Sequence, residues 1–76
     1  MREEIIEILE DIIMERPDDI NDCETLIDQG YLDSMDIVAL VMDLNNNFNV
    51  AITVNDLIPD NFNSVAAIEK LIKRLQ

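Results

Sequence analysis

Seventy-six residues hold one core at most, and with 49% of them apolar the chain is expected to fold rather than stay disordered. Seventeen acids against five bases give a net charge of −12, a field that repels phosphate backbones and anionic lipid, so nucleic-acid binding and membrane insertion are not expected. His is absent, which removes the commonest general base and metal ligand and leaves conventional catalysis hard to build.

Residues 2–15 read as an amphipathic helix. At 100° per residue Ile5, Ile6, Ile8, Leu9, Ile12 and Ile13 share one stripe, with Glu3, Glu4, Glu7, Glu10 and Asp11 opposite. With such an acidic start and no apolar run a signal peptide is not expected, and no stretch approaches a membrane span. Pro17 disfavours helical geometry at Arg16, so the helix is expected to stop there. From Pro17 to Asp33 the periodicity fails. Turn formers (Asp18, Asp19, Asn21, Asp22, Asp28, Gly30) alternate with Ile20, Leu26, Ile27, Tyr31 and Leu32, as in a long loop pinned to the core. A one-turn helix around Cys23–Ile27 is weakly signalled. The acids Asp18, Asp19, Asp22, Glu24 and Asp28 lack the pattern of a calcium loop and read as a solvated surface. Cys23, the single cysteine, has no cationic neighbour beyond Arg16 and reads as an incidental thiol.

A second helix starts at Ser34, a favoured N-cap residue, with Asp36 in its first turn. Ile37, Leu40, Val41, Leu44 and Phe48 form its core stripe, while Met35, Val38 and Met42 make a second apolar flank on the Ser34 side. That flank is either a wide core face or a docking patch. Phe48–Val54 alternates like a strand but has no partner strand, so an extended connection is expected. Thr53 then caps a short helix, Val54–Ile58, with Asp56 at the capping-box position, and Pro59 closes it. Asp60–Asn63 reads as a turn, and Ser64 caps a last helix over 65–75, with Val65, Ile68, Leu71, Ile72 and Leu75 inward. Lys70, Lys73 and Arg74 suit its negative C-terminal end.

Ser34 has no His or nearby Lys to activate it, so a serine hydrolase is not expected. It follows a long irregular loop, opens a helix whose free N–H groups favour a phosphate, and adjoins the spare apolar flank. Those properties suit a serine that another enzyme modifies, against the plainer reading of an ordinary helix cap. Asp33-Ser34-Met35-Asp36, preceded by Asp28-Gln29-Gly30-Tyr31-Leu32 and followed by an apolar helix ending at Phe48, resembles the acyl carrier proteins. The likeness continues through the connection, the short helix before Pro59, and Asn63-Ser64-Val65.

The resemblance implies an all-α, acyl-carrier-like four-helix bundle: three main helices, one short helix and a long first loop, as a single carrier domain over 1–76. It implies 4′-phosphopantetheine esterified to Ser34 by a phosphopantetheinyl transferase that uses coenzyme A and a divalent cation. Asp33 and Met35 flank the modified serine, and Asp36, Val38, Met42 and Asp43 fall on the docking surface for acyl- or aminoacyl-transferring enzymes with basic patches. The chain itself is then not an enzyme but a monomeric cytoplasmic carrier, presenting an acyl group as a thioester. The fatty-acid carriers are richer in acids along the second helix, where this chain has Ala39, Asn45, Asn46 and Asn47, so steering toward their partners is expected to be weaker. Gly30-Tyr31-Leu32-Asp33-Ser34 also looks like the D-alanyl and other aminoacyl carriers, which an adenylating ligase loads. Those carriers are the alternative within the class, and an unmodified carrier-fold interaction module is the rival outside it.

Overall fold

In the computed structural model the described residues are 1–13, 19–20 and 22–76. The apolar spacing produces four α-helices: α1 (Arg2–Ile12), α2 (Ser34–Phe48), α3 (Pro59–Phe62) and α4 (Val65–Leu75). A 3₁₀ turn, Val54–Asp56, precedes α3, and no strand forms among the described residues. Ile5, Ile8 and Leu9 of α1, Leu40 and Leu44 of α2, Phe62 of α3, and Val65, Ile68, Leu71 and Ile72 of α4 meet in one aliphatic core. Each such side chain, moved fully out of water, contributes about 1.5–3 kcal/mol. α1 packs against both α2 and α4, and α3 packs against α4. Arg2 reinforces the α1–α4 contact, its guanidinium donating to Glu69 Oε1 at 3.3 Å.

Two connections are pinned to this core. Leu26 and Leu32 of the first loop are buried, with Ile20, Ile27 and Tyr31 packed beside them, as the interspersed apolar residues predict. Between α2 and the 3₁₀ turn the chain is extended and buries Ile52; Asn49, in the left-handed region at φ 54°, ends the helix, a conformation Asn tolerates better than most residues.

Three expected boundaries move. α1 ends at Ile12, because Ile13 turns extended (φ −82°, ψ 120°), a conformation suited to a β-branched residue, and stays 5% exposed. The stop expected at Arg16, before Pro17, lies outside the described residues. The helical turn expected at Cys23–Ile27 is a set of turns reaching further, with Gln29 N–H donating to the Thr25 carbonyl at 2.9 Å and Gly30 N–H to that of Ile27 at 3.0 Å. The short helix expected over Val54–Ile58 breaks after Asp56, and Pro59 opens α3 instead of closing the helix before it. Proline lacks the N–H that a first helical residue leaves unpaired and has its φ already set, so it starts a helix as readily as it ends one. The segment read as the turn Asp60–Asn63 is therefore mostly helix. α4 keeps its expected bounds, and Ser64 caps it by accepting from Ala67 N–H at 3.0 Å.

Candidate functional site around Ser34

The start of α2 is built by two aspartates. Asp36 N–H donates to Asp33 Oδ1 at 2.9 Å, and Asp33 N–H donates to Asp36 Oδ2 at 3.3 Å. Asp33 is thus the N-cap, in extended backbone (φ −104°, ψ −175°), and Ser34 is the first helical residue. The expectation that Ser34 caps the helix is corrected. An ionised carboxylate is the stronger acceptor and meets the positive end of the helix, so it displaces the hydroxyl from that task. Ser34 is left exposed, with its Oγ in no hydrogen bond among the described residues. The cap uses the amide of Asp36, and the amides of Ser34 and Met35 in the same turn remain for an anion.

Ser34 stands at the edge of an open groove of about 580 Å³, lined by Leu32 and Ile27 from the first loop, Ile37 and Val38 from α2, and Ile58 and Phe62 from the α3 side. The spare flank of α2 faces solvent: Met35 is 82%, Val38 59% and Met42 61% exposed. Val54, Leu57 and Ile58 are exposed apolar residues of the segment leading into α3. The reading of the flank as a wide core face is therefore set aside. Asp36 is half-buried and Asp43 exposed on the same helix, so the residues grouped from the sequence share one helix that begins at the serine.

Asparagines tie the connecting segments to one another, a role that the residue pattern alone does not disclose. Asn63, at the end of α3, accepts from Ile27 N–H at 2.8 Å and Asp28 N–H at 3.2 Å through Oδ1. Its carbonyl accepts from Leu26 N–H at 2.9 Å. Asn61 donates to the Asp56 carbonyl at 2.8 Å, and Asn45 Oδ1 accepts from Ile52 N–H at 2.9 Å. Through its side chain Asn63 reaches a partner 36 residues away, and no local motif announces such a bond.

The remaining candidates stay outside the groove. Asp22 is held above the ordinary aspartate value, first by a hydrogen bond with Asp19 and then by that neighbour's charge. No group of three metal-ligating side chains forms among the described residues, and Asp18 of the acidic cluster lies outside them. Cys23 is half-buried with Sγ 3.7 Å from Thr25 Oγ1. Lys73 and Arg74 are near Glu69 (4.0 Å) and Asp56 (3.9 Å), pairs exposed enough to add little stability.

An exposed serine held at the start of a capped helix, with an apolar groove beside it, suits a carrier domain. Residues 3–72 match the family described as the phosphopantetheine attachment site, and the chain belongs to that family. Over all 76 residues it is 36% identical to the D-alanyl carrier protein of Streptococcus sanguinis (strain SK36), covering 95% of that protein. With the same coverage it is 34% identical to the D-alanyl carrier protein of Streptococcus gordonii and 33% identical to that of Streptococcus mutans serotype c. No solved structure matches the chain. The cofactor of this family is covalent 4′-phosphopantetheine on a serine, and Ser34 fits it: the hydroxyl is exposed and unbonded, and open first-turn amides adjoin it. Such carriers are served by a phosphopantetheinyl transferase and by enzymes that handle acyl or aminoacyl groups. No helix among the described residues is long and apolar enough to cross a membrane.

Proposed function

We propose that Ser34 is the phosphopantetheine attachment point and that the holo protein carries an activated amino acid, D-alanine, loaded by an adenylating ligase. The observation that carries the site is the freed Ser34 hydroxyl, exposed at the groove while Asp33 holds the helix start. The cargo reading is supported by D-alanyl carrier relatives that align over the full chain, and by Gly30-Tyr31-Leu32-Asp33-Ser34. The asparagines and alanine that replace acids along α2 favour it over the fatty-acyl reading. When bound, the group supplies a flexible arm whose thiol holds the cargo as a thioester.

The chain's own residues have three tasks. Asp33 and Asp36 fix the first turn so that Ser34 Oγ faces solvent, where a transferase reaches it. The Ser34 and Met35 amides, at the positive end of α2, favour the phosphodiester that forms on Oγ. Met35, Val38 and Met42 offer apolar contact to partner enzymes, with Asp36 and Asp43 steering basic patches toward them. The bond-making chemistry belongs to those enzymes, and this chain is a carrier without catalysis of its own. A cytoplasmic setting, where thiols stay reduced, suits both the arm and Cys23.

A second reading, carriage of a fatty-acyl group, has the apolar lining of the groove in its favour. The test is to give the holo protein ATP, D-alanine and a D-alanine-adenylating ligase, and separately malonyl-coenzyme A and a malonyl transferase. D-alanyl thioester with little malonyl transfer supports the proposal, and the reverse supports the second reading.

A further inference from the structure

The groove beside Ser34 has two walls on different parts of the chain: Ile27 and Leu32 from the first loop with Ile37 and Val38 of α2, and Ile58, Pro59 and Phe62 on the other side. α3 packs chiefly on α4, so the separation of the walls needs another fastening. Asn63 supplies it. Its two oxygens take three successive amides of the first loop: Leu26 N–H on the carbonyl (2.9 Å), and Ile27 N–H (2.8 Å) and Asp28 N–H (3.2 Å) on Oδ1. The link then runs on to the serine. The Leu26 carbonyl accepts from Leu32 N–H at 2.9 Å, and Leu32 lies two residues before Ser34. Leu26 and Leu32 are 0% and 2% exposed, so the backbone part of the relay is shielded from competing water, while the Asn63 side chain holds the Ile27 amide in a half-buried setting and the Asp28 amide at the surface.

We infer that Asn63 is a positioning residue for the carrier reaction: as a latch between the end of α3 and the loop before Ser34, it sets the width of the groove and the orientation in which partner enzymes meet the serine. The role rests on the reading of Ser34 as the attachment point. Loss of the side-chain oxygen leaves the Ile27 and Asp28 amides without a partner and lets the loop open. Partner enzymes then find the docking-competent arrangement in only a fraction of molecules, which raises their KM for the carrier and spares turnover once docked.

The test uses the full chain, coenzyme A, magnesium and a broad-specificity phosphopantetheinyl transferase, with amide hydrogen exchange measured in parallel. Asn63→Ala is expected to speed exchange at Ile27 and Asp28 but not at Leu40 or Leu44, and to raise the transferase KM by about tenfold, the factor a lost hydrogen bond yields, with kcat kept. Asn63→Asp retains an acceptor oxygen and restores KM. Ile72→Val, which trims the core at a residue outside the groove lining, lowers Tm without moving KM. An unchanged KM in Asn63→Ala, or an equal rise in Ile72→Val, overturns the inference. Unprotected Ile27 and Asp28 amides in the wild type overturn it without any variant. A wild type that is not loaded overturns the Ser34 reading and the positioning role with it, and protected Ile27 and Asp28 amides distinguish that result from failure of the latch alone.

Discussion

Two favoured capping residues stand side by side at the start of α2, and Asp33 takes the cap while Ser34 keeps its hydroxyl free. The energetic consequence is specific. Asp33→Ala should cost about 1 kcal/mol in urea unfolding, the usual value of an N-cap. Ser34→Ala should stay within about 0.5 kcal/mol of the wild type, as exposed substitutions do, and still abolish loading. Equal destabilisation by both would return the cap to Ser34. Gly30, like Asn49, has a defined backbone task. Its φ of +82° is left-handed and its missing Cβ faces open space, so Gly30→Ala should cost about 1–2 kcal/mol through backbone strain alone. Unchanged stability would mean that this turn relaxes freely. At this scale the sequence was half legible. Asp-Ser-Met-Asp holds two overlapping caps, and only the spacing of Asp33 to Asp36 favours the first. The bonds of Asn63 and Asn45 depend on residues brought together by folding, so no local pattern revealed them.

The elements were read more fully than their ends. Helical spacing of apolar residues placed α1, α2 and α4, because each buries one stripe in a shared core. Pro59 opens a helix where closing one is expected, because a proline marks a helix boundary without saying on which side the helix lies. The apolar flank of α2 was ambiguous for a related reason: periodicity counts apolar faces, and only packing says which of them water keeps. Met42, 61% exposed, gives the test. Met42→Glu should leave Tm nearly unchanged while slowing both the loading of the holo protein by its ligase and transfer from the loaded carrier to an acceptor. A collapse in Tm would place Met42 in the core and remove it from the docking face.

Charge acts on the molecule as a whole. A net charge of −12 opposes compaction, so added salt should raise Tm by screening it; a Tm independent of ionic strength would contradict this. Asp22 localises part of the effect. Its pKa is raised in the folded chain by Asp19, through a hydrogen bond and then through charge, with burial and Glu24 adding and Arg2 opposing. An acid raised on folding binds more protons in the folded state between its ordinary value of 3.8 and the raised one. Stability therefore falls as pH rises through that window, and the penalty persists above it. Asp22→Asn should raise Tm at pH 7, with the gain fading as pH drops below the ordinary value. A constant gain at all pH values would assign it to something other than titration.

The central claim, that Ser34 receives the phosphopantetheine, is tested most directly by intact mass. The wild type and Ser34→Ala are incubated with coenzyme A, magnesium and the transferase. The account predicts a gain of one phosphopantetheine in the wild type and none in the folded variant. The same gain in Ser34→Ala, or none in the folded wild type, would contradict it.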